Sequence, residues 1–293
     1  MKDMTWIRED LIAHRGLHTK DGIVPENTLL AFSKAIELGF GIELDLNVLK
    51  DGTVVCFHDK DLKRLCNIDM KLSDLNYDEI KDFKILKSSE TIHSIQEVLA
   101  FVNGRVPLLI ELKPFGNSDL LCRKFMEAID GYTGKWAVHS FHPKTLLWFR
   151  SNHPEIIRGQ ISEYFRDDPK MKRITKYLMK TMFFNRFTKP DFINYGIKDM
   201  PNKYLDKLMK KGMTIIGYAP HSQKEFDMVK KYYHNSVFEY FIPKKQAWKP
   251  AFNLYFLKLI HVNVKVFKNR IFLDYCGVTV FYKKHCDKCQ CNE

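Results

Sequence analysis

The run Ile42-Glu43-Leu44-Asp45-Leu46 sets two carboxylates into a β-rich segment otherwise made of Ile and Leu. Side chains alternate along a strand, so Ile42, Leu44 and Leu46 face one way while Glu43 and Asp45 face the other. Leu108–Lys113 repeats the device, with Ile110 and Leu112 on one face and Glu111 and Lys113 on the opposite one. Three buried, unpaired carboxylates would each cost several kcal/mol, so something must compensate them. A hard divalent cation, Mg²⁺ or Ca²⁺, suits three converging oxygen donors. The bland alternative, an edge strand with solvated charges, must account for two separate strands at once.

His14 closes the first strand-like run and precedes Arg15 and Gly16; His58 closes the run after IELDL and precedes Asp59. A lone histidine is more often structural than catalytic. Two at strand ends, beside an arginine and a carboxylate cluster, shift that balance. Phosphodiester cleavage needs a base to activate the nucleophile and an acid to protonate the departing alkoxide. Histidine, with an ordinary pKa of about 6.5, serves both roles near neutrality. A metal would polarise a phosphoryl oxygen, Arg15 offers a planar fork for phosphate, and Lys113 adds a point charge.

These residues need strands to hold them. Strand-like runs are Leu11–His14, Ile42–Leu46, Thr53–Phe57, Leu108–Leu112, Trp136–His139, Ile157–Ile161, Asp191–Asn194 and Thr214–Ile216, with a weaker one at Val237–Phe241. Helical spacing fills the gaps at Asn27–Leu38, Ile95–Val102, Asp119–Ile129, Pro143–Ser151, Asn202–Lys211 and Gln223–Tyr232. Strand–helix alternation on this scale predicts a parallel sheet, and the number of units predicts a TIM (β/α)8 barrel over residues 1–247. In such a barrel catalytic groups sit at the C-terminal ends of the strands. A doubly wound open sheet is the structural alternative, but no Gly-rich nucleotide loop follows the first strand.

Three segments break the regularity. Residues 61–93 read as a small insertion on one rim. Residues 166–189 carry eight basic against two acidic side chains, with Met179, Met182, Phe183 and Phe184 among them. An ordinary outer-ring helix is slightly the better reading there, ahead of a lid or interfacial helix that meets anionic lipid headgroups. Residues 248–293 form a basic, Cys-containing extension. It opens on the helix-like PAFNLYFLKLIHV, continues through two strand-like runs that suggest a hairpin, and ends HCDKCQC. That ending holds Cys and His in zinc-ligand spacing but lacks a second ligand pair, so a thiol-bearing terminus is the better reading.

A formal net charge of +12 favours an anionic partner, whether a phosphorylated substrate, a membrane face or nucleic acid. The start MKDMTWIRED has acids where an export signal needs an apolar core, and no charge-free run reaches the length of a membrane span. Seven cysteines without a disulfide framework suit reduced thiols in a cytoplasm.

In order and spacing, IAHRG, PENT (Pro25–Thr28), AFSKAIELG, ELDL, DGTVVCFHD and IELK together resemble the glycerophosphodiester phosphodiesterase family over roughly residues 10–245. The resemblance implies a TIM barrel, a metal held by Glu43, Asp45 and Glu111, and His14 and His58 as the acid–base pair. It places Arg15 and Lys113 at the phosphate or glycerol end. Glu26 and Asn27 then look like substrate-side groups or supports of the ligands, although Asn27 is about equally suited to capping the next helix. HSFHP at His139–Pro143 is similar to the family's Ser-Phe turn. The later half departs from the pattern: IIGYAP stands where relatives carry Trp-Thr-Val-Asn, and NSVFEYF replaces an acidic Gly-Val-Asp segment. Phe141 and Tyr218 are the rings left to line a glycerol pocket.

The implied reaction is hydrolysis of a glycerophosphodiester, a small-molecule partner, to glycerol 3-phosphate and an alcohol. Lysophospholipase D-like cleavage and a non-catalytic glycerol phosphate-binding barrel are the rivals. Peripheral membrane contact is the second partner class. Nucleic acid is not expected, because the basic residues lack a reading motif. Oligomeric state is not legible.

Overall fold

The structure, a computed structural model, describes residues 2–244 and the backbone of three strands between residues 263 and 282. In chain order the strands of the first unit are β1 (Ile12–Ala13), β2 (Gly41–Val48), β3 (Val54–Cys56), β4 (Leu108–Leu112), β5 (Trp136–Ser140), β6 (Arg158–Ser162), β7 (Phe192–Gly196), β8 (Thr214–Tyr218) and β9 (Asn235–Phe238). Strand β1 pairs in parallel with both β2 and β9, and β2 leads through β4 to β9 in sequence order. The ring is closed. It is the expected eight-stranded parallel barrel with helices between strands.

Strand β3 is not part of that ring. It pairs antiparallel with β2, Leu46 opposite Cys56. The five residues between them are too few for a parallel crossover, so the chain must fold straight back. The 53–57 run, counted above among the alternating units, therefore carries His58 across the barrel mouth from outside. The insertion that follows has a core of its own, built on Leu62, Leu65, Leu72, Ile80 and Ile85.

Alternation along the strands sorts the barrel's two faces. Ile42, Leu44, Leu46, Leu108, Ile110 and Leu112 all pack outward in the main core, against helix residues such as Phe32, Val98 and Phe125. Inside, Ile12, Leu109, Ala137, Phe192, Ile216 and Val237 form an apolar plug with Trp6 and Ile7 of the short helix Thr5–Glu9. Most of these are near the starts of their strands, so that end is sealed. The polar interior lies toward the other end.

A second unit spans residues 244–293. Its described part is an antiparallel sheet of β10 (Asn263–Phe267), β11 (Arg270–Tyr275) and β12 (Val278–Tyr282), with Phe267 opposite Arg270 as a hairpin requires. PAFNLYFLKLIHV and HCDKCQC lie outside the described residues. Among the described residues Cys56, Cys66 and Cys122 are free thiols, and no helix is long and apolar enough to cross a membrane.

Candidate active site

Parallel register builds the centre of the site. Asp45 on β2 stands beside Glu111 on β4, which stands beside His139 on β5. Glu43, two residues before Asp45, points the same way. Glu43, Asp45 and Glu111 are 1%, 0% and 6% exposed, so water does little to stabilise their charge. Glu43, Glu111 and His139 each offer a ligand atom within 4.8 Å of the others, and His139 Nε2 lies 3.3 Å from Glu43 Oε1. Burial, then the nearby Asp45 carboxylate, pushes Glu43 up to about 7. Burial likewise lowers His139 to about 4, favouring the neutral imidazole.

Asp45 behaves differently because cations reach it. Lys113 Nζ lies 3.4 Å from Oδ1 and Arg15 Nε 3.2 Å from Oδ2. Burial alone would raise its pKa, but Lys113, His58 and Arg15 outweigh that and hold it well below the usual range. Lys113 also donates to Glu111 at 2.7 Å. Asp45 Oδ1 and His139 Nε2 are nevertheless buried without a hydrogen-bond partner. Crowded oxygen donors with an orphaned lone pair and one carboxyl driven toward protonation fit a hard divalent cation.

The turn after β1 explains the HRG motif. Arg15 and Gly16 both adopt left-handed φ, 53° and 77°. A Cβ on Gly16 would sit 2.8 Å from the Phe32 ring and 2.9 Å from the Ala31 carbonyl carbon, so only glycine lets the turn lie on the next helix. Two bonds lock the turn to β2: Arg15 N donates to Glu43 Oε2 at 3.1 Å and Gly16 N to the Glu43 carbonyl at 3.2 Å. The Arg15 guanidinium then reaches Glu26 at 2.7 Å.

Asn27 is not the helix cap. Thr28 caps Leu29–Glu37, its hydroxyl accepting from Ala31 N. Asn27 sits in a left-handed conformation, φ 57°, with its side chain turned inward. Its amide donates to Asp45 Oδ2 at 2.9 Å and accepts from Asp45 N at 3.1 Å. A cap needs extended backbone facing the helix start. The PEN segment instead bends away to clamp Asp45.

Each of the two expected histidines has a carboxylate beside Nδ1. His58 Nδ1 is 2.7 Å from Asp59 Oδ1, and His14 Nδ1 is 3.2 Å from Glu239 Oε1. His14 Nε2 faces Glu43 Oε2 at 3.8 Å. Glu239 also meets His18 at 3.0 Å and His221 at 2.7 Å. Burial works against its charge, yet His14 and His18 hold its carboxyl far below the usual range. Asp59 is held by Arg64 Nε at 2.6 Å, and the same guanidinium bonds both Glu26 oxygens at 2.7 Å. His58, just beyond the return strand, is thereby tied to Arg15 through Asp59, Arg64 and Glu26.

The rings also meet. Phe141 packs edge-on against Tyr218 at 5.9 Å and Phe165 at 6.0 Å, with Lys113 Nζ 6.0 Å from its centroid. Tyr218 OH is 3.2 Å from Glu163 Oε2, and burial raises both pKa values.

All the residues singled out from the sequence thus fall in one contiguous cluster. Sequence reasoning missed His139, Glu239, His18, Asp59 and Arg64. His139 had a signal, since it ends the Trp136–His139 run on the parity that faces inward. Glu239 had a weak one, an acid in the segment that departs from the family pattern. Arg64 had none, because the insertion's fold brings it in.

The Glycerophosphoryl diester phosphodiesterase family matches residues 14–241. A glycerophosphodiester phosphodiesterase of Bacillus altitudinis is 33% identical over 159 residues, 50% of this chain and 63% of that protein. The human lysophospholipase D GDPD1 is 32% identical over 135 residues, 41% of each chain. The matches thus span less than two thirds of these relatives' lengths. An Oleispira antarctica phosphodiesterase solved with the product sn-glycerol-3-phosphate superposes with a TM-score of 0.66 at 20% identity, covering 80% of this chain and 94% of that one. On its motif order, its closed barrel and a family match that spans most of its length, the chain belongs to the glycerophosphoryl diester phosphodiesterase family.

Proposed function

We propose that the protein hydrolyses glycerophosphodiesters to glycerol 3-phosphate and an alcohol. The observation that carries this reading is the inner row of Asp45, Glu111 and His139, with Glu43 beside it and Arg15, Lys113 and His14 around it. Three carboxylates and two cations converge at one barrel mouth, which suits a metal and a phosphate together. Glu43, Asp45 and Glu111 are the proposed ligands, with neutral His139 at hand. A bound Mg²⁺ or Ca²⁺ would polarise a phosphoryl oxygen and offset the carboxylates.

The chain's own groups supply the rest. Arg15 is braced by Glu26 so that its fork faces the phosphate. Lys113 adds charge from the end of β4, beside β2. A carboxylate on Nδ1 of each imidazole leaves Nε2 to exchange a proton with substrate, the arrangement general acid–base catalysis needs. One histidine assists attack, by water or by the neighbouring glycerol hydroxyl, and the other protonates the leaving oxygen. Phe141 and Tyr218 wall the glycerol.

Cleavage of a lysophospholipid by the same centre is the second reading. The Phe141, Phe165 and Tyr218 ring cluster and the similarity to a lysophospholipase D favour it. A panel of glycerophosphocholine, glycerophosphoethanolamine and lysophosphatidylcholine tests both. Full-length protein with Mg²⁺ or Ca²⁺ should release glycerol 3-phosphate, or phosphatidic acid's lyso form from the lipid. EDTA or His14→Ala should abolish release. Binding of glycerol phosphate without turnover of any substrate would instead mark a binding module.

A further inference from the structure

The segment between β6 and β7 is tied to the ends of the strands that frame the mouth. Ser162 Oγ donates to the Met179 carbonyl at 2.9 Å, and Tyr195 OH donates to the Lys180 carbonyl at 3.1 Å. These bonds fix the C-terminal end of helix Arg173–Lys180 at the catalytic rim. Met179 and Met182 are buried there, as an outer-ring helix requires. The rest of its apolar side is not covered. Ile174 is 61% exposed, Tyr177 53%, and Phe187 on the following turn 49%.

Charge surrounds these residues. Arg173 and Lys180 flank Tyr177 at helical spacing, Lys176 adjoins it in the chain, and Lys172 immediately precedes the helix. Among the described residues none of these four has a carboxylate partner, whereas Arg166 pairs with Asp199 and Lys198 with Asp167. Beside the helix runs a groove of about 720 Å³ whose walls include Tyr177, Asn185, Arg186, Lys189, Lys207 and Lys211. Both polar atoms of the Asn185 amide are buried without a partner. Exposed aromatic and aliphatic side chains ringed by uncompensated cations match an interfacial surface on an anionic bilayer.

We propose that this face docks on an anionic lipid bilayer, with Ile174, Tyr177 and Phe187 entering the headgroup region and the basic groove receiving phosphate headgroups. Docking turns the catalytic rim toward lipid, where a glycerophospholipid-derived substrate would be found. The surface stands independently of the hydrolytic reading, since among the described residues no hydrogen bond, ion pair or ring contact joins Ile174, Tyr177, Phe187 or the groove's charged side chains to the catalytic cluster.

The test is co-sedimentation of the full chain with vesicles of phosphatidylcholine, alone or with about one third phosphatidylglycerol. Wild type should bind the anionic vesicles and leave the neutral ones. Neutralising Lys172, Arg173 and Lys176 to Gln should weaken that binding by about 100-fold, at several-fold per basic group. Ile174→Ser with Tyr177→Ser should weaken it by about 10-fold through lost apolar insertion. Neutralising Arg123, Lys124 and Lys135, remote in sequence, should change little. Equal binding by wild type and the Lys172/Arg173/Lys176 variant, equal loss in the control, or no binding by wild type would each overturn the proposal. Hydrolysis of water-soluble glycerophosphocholine should persist in the helix variants, so a failed docking surface and a failed enzyme are told apart.

Discussion

Glu239 hydrogen-bonds His18 and His221 at 3.0 and 2.7 Å and faces His14 Nδ1 across an ion-pair distance of 3.2 Å. A carboxylate on Nδ1 fixes an imidazole's orientation and leaves Nε2 for chemistry, and it stabilises the imidazolium once formed. On the proposed acid–base roles, Glu239 would position His14 as Asp59 would position His58. Glu239→Gln keeps the shape but replaces one acceptor oxygen with a donor. It should lower kcat by about 10-fold or more while leaving KM within a few-fold, and Glu239→Asp should recover part of the loss. Steady-state kinetics on glycerophosphocholine would check this. An unchanged kcat, or a loss confined to KM, would rule out the positioning role.

Single elements carry their own pH dependence. His234 lies between helix Gln223–Tyr232 and β9, where its Nδ1 accepts from Ile215 N at 3.1 Å. Burial, reinforced by the positive charges of Arg8 and Lys230, depresses its pKa below the usual 6.5, because a charged ring is poorly solvated and repelled there. A depressed folded-state pKa stabilises the fold fully above the unfolded value. That stability is lost as pH falls from about 6.5 through the folded pKa, since the unfolded chain binds the proton first. The melting temperature of His234→Asn should therefore fall less between about pH 7 and pH 5 than that of wild type. Identical slopes in thermal melts would show that His234 does not contribute. The element scale also explains β3: a strand joined by a short loop can return only antiparallel, and that return brings His58 to the mouth.

For the whole molecule, the buried carboxylates are a standing cost. Lys113, Arg15 and Asn27 relieve Asp45, but Glu43 is driven up to about 7. A cation that binds only the folded barrel should relieve that strain. At a concentration about 100 times its Kd it should add about 2.7 kcal/mol, or a melting shift of several degrees for a unit of this size. Differential scanning fluorimetry with Mg²⁺, Ca²⁺ and EDTA would measure it, with Glu111→Gln expected to abolish the shift. No shift with either ion would remove the proposed ligand set.

The local patterns were legible because strand parity and short spacing are local properties. IELDL and LLIELK assign Glu43, Asp45, Glu111 and Lys113 to one face before any fold is known, and strand–helix alternation points to the barrel. What those patterns lack is contact between distant segments. Asn27 reads equally as a cap or a site residue until Asp45 is seen within reach of its amide and Thr28 takes the capping role. Arg64 is unremarkable in a polar insertion until that insertion folds over Glu26 and Asp59. Glu239 gains its meaning only when barrel closure sets β9 beside β1 and brings His14 and His18 to it. Sequence alone determined the fold class and the inward set of carboxylates, through periodicity. Tertiary structure decided which groups orient the histidines and clamp the ligands, because those partners are joined only by closing the ring.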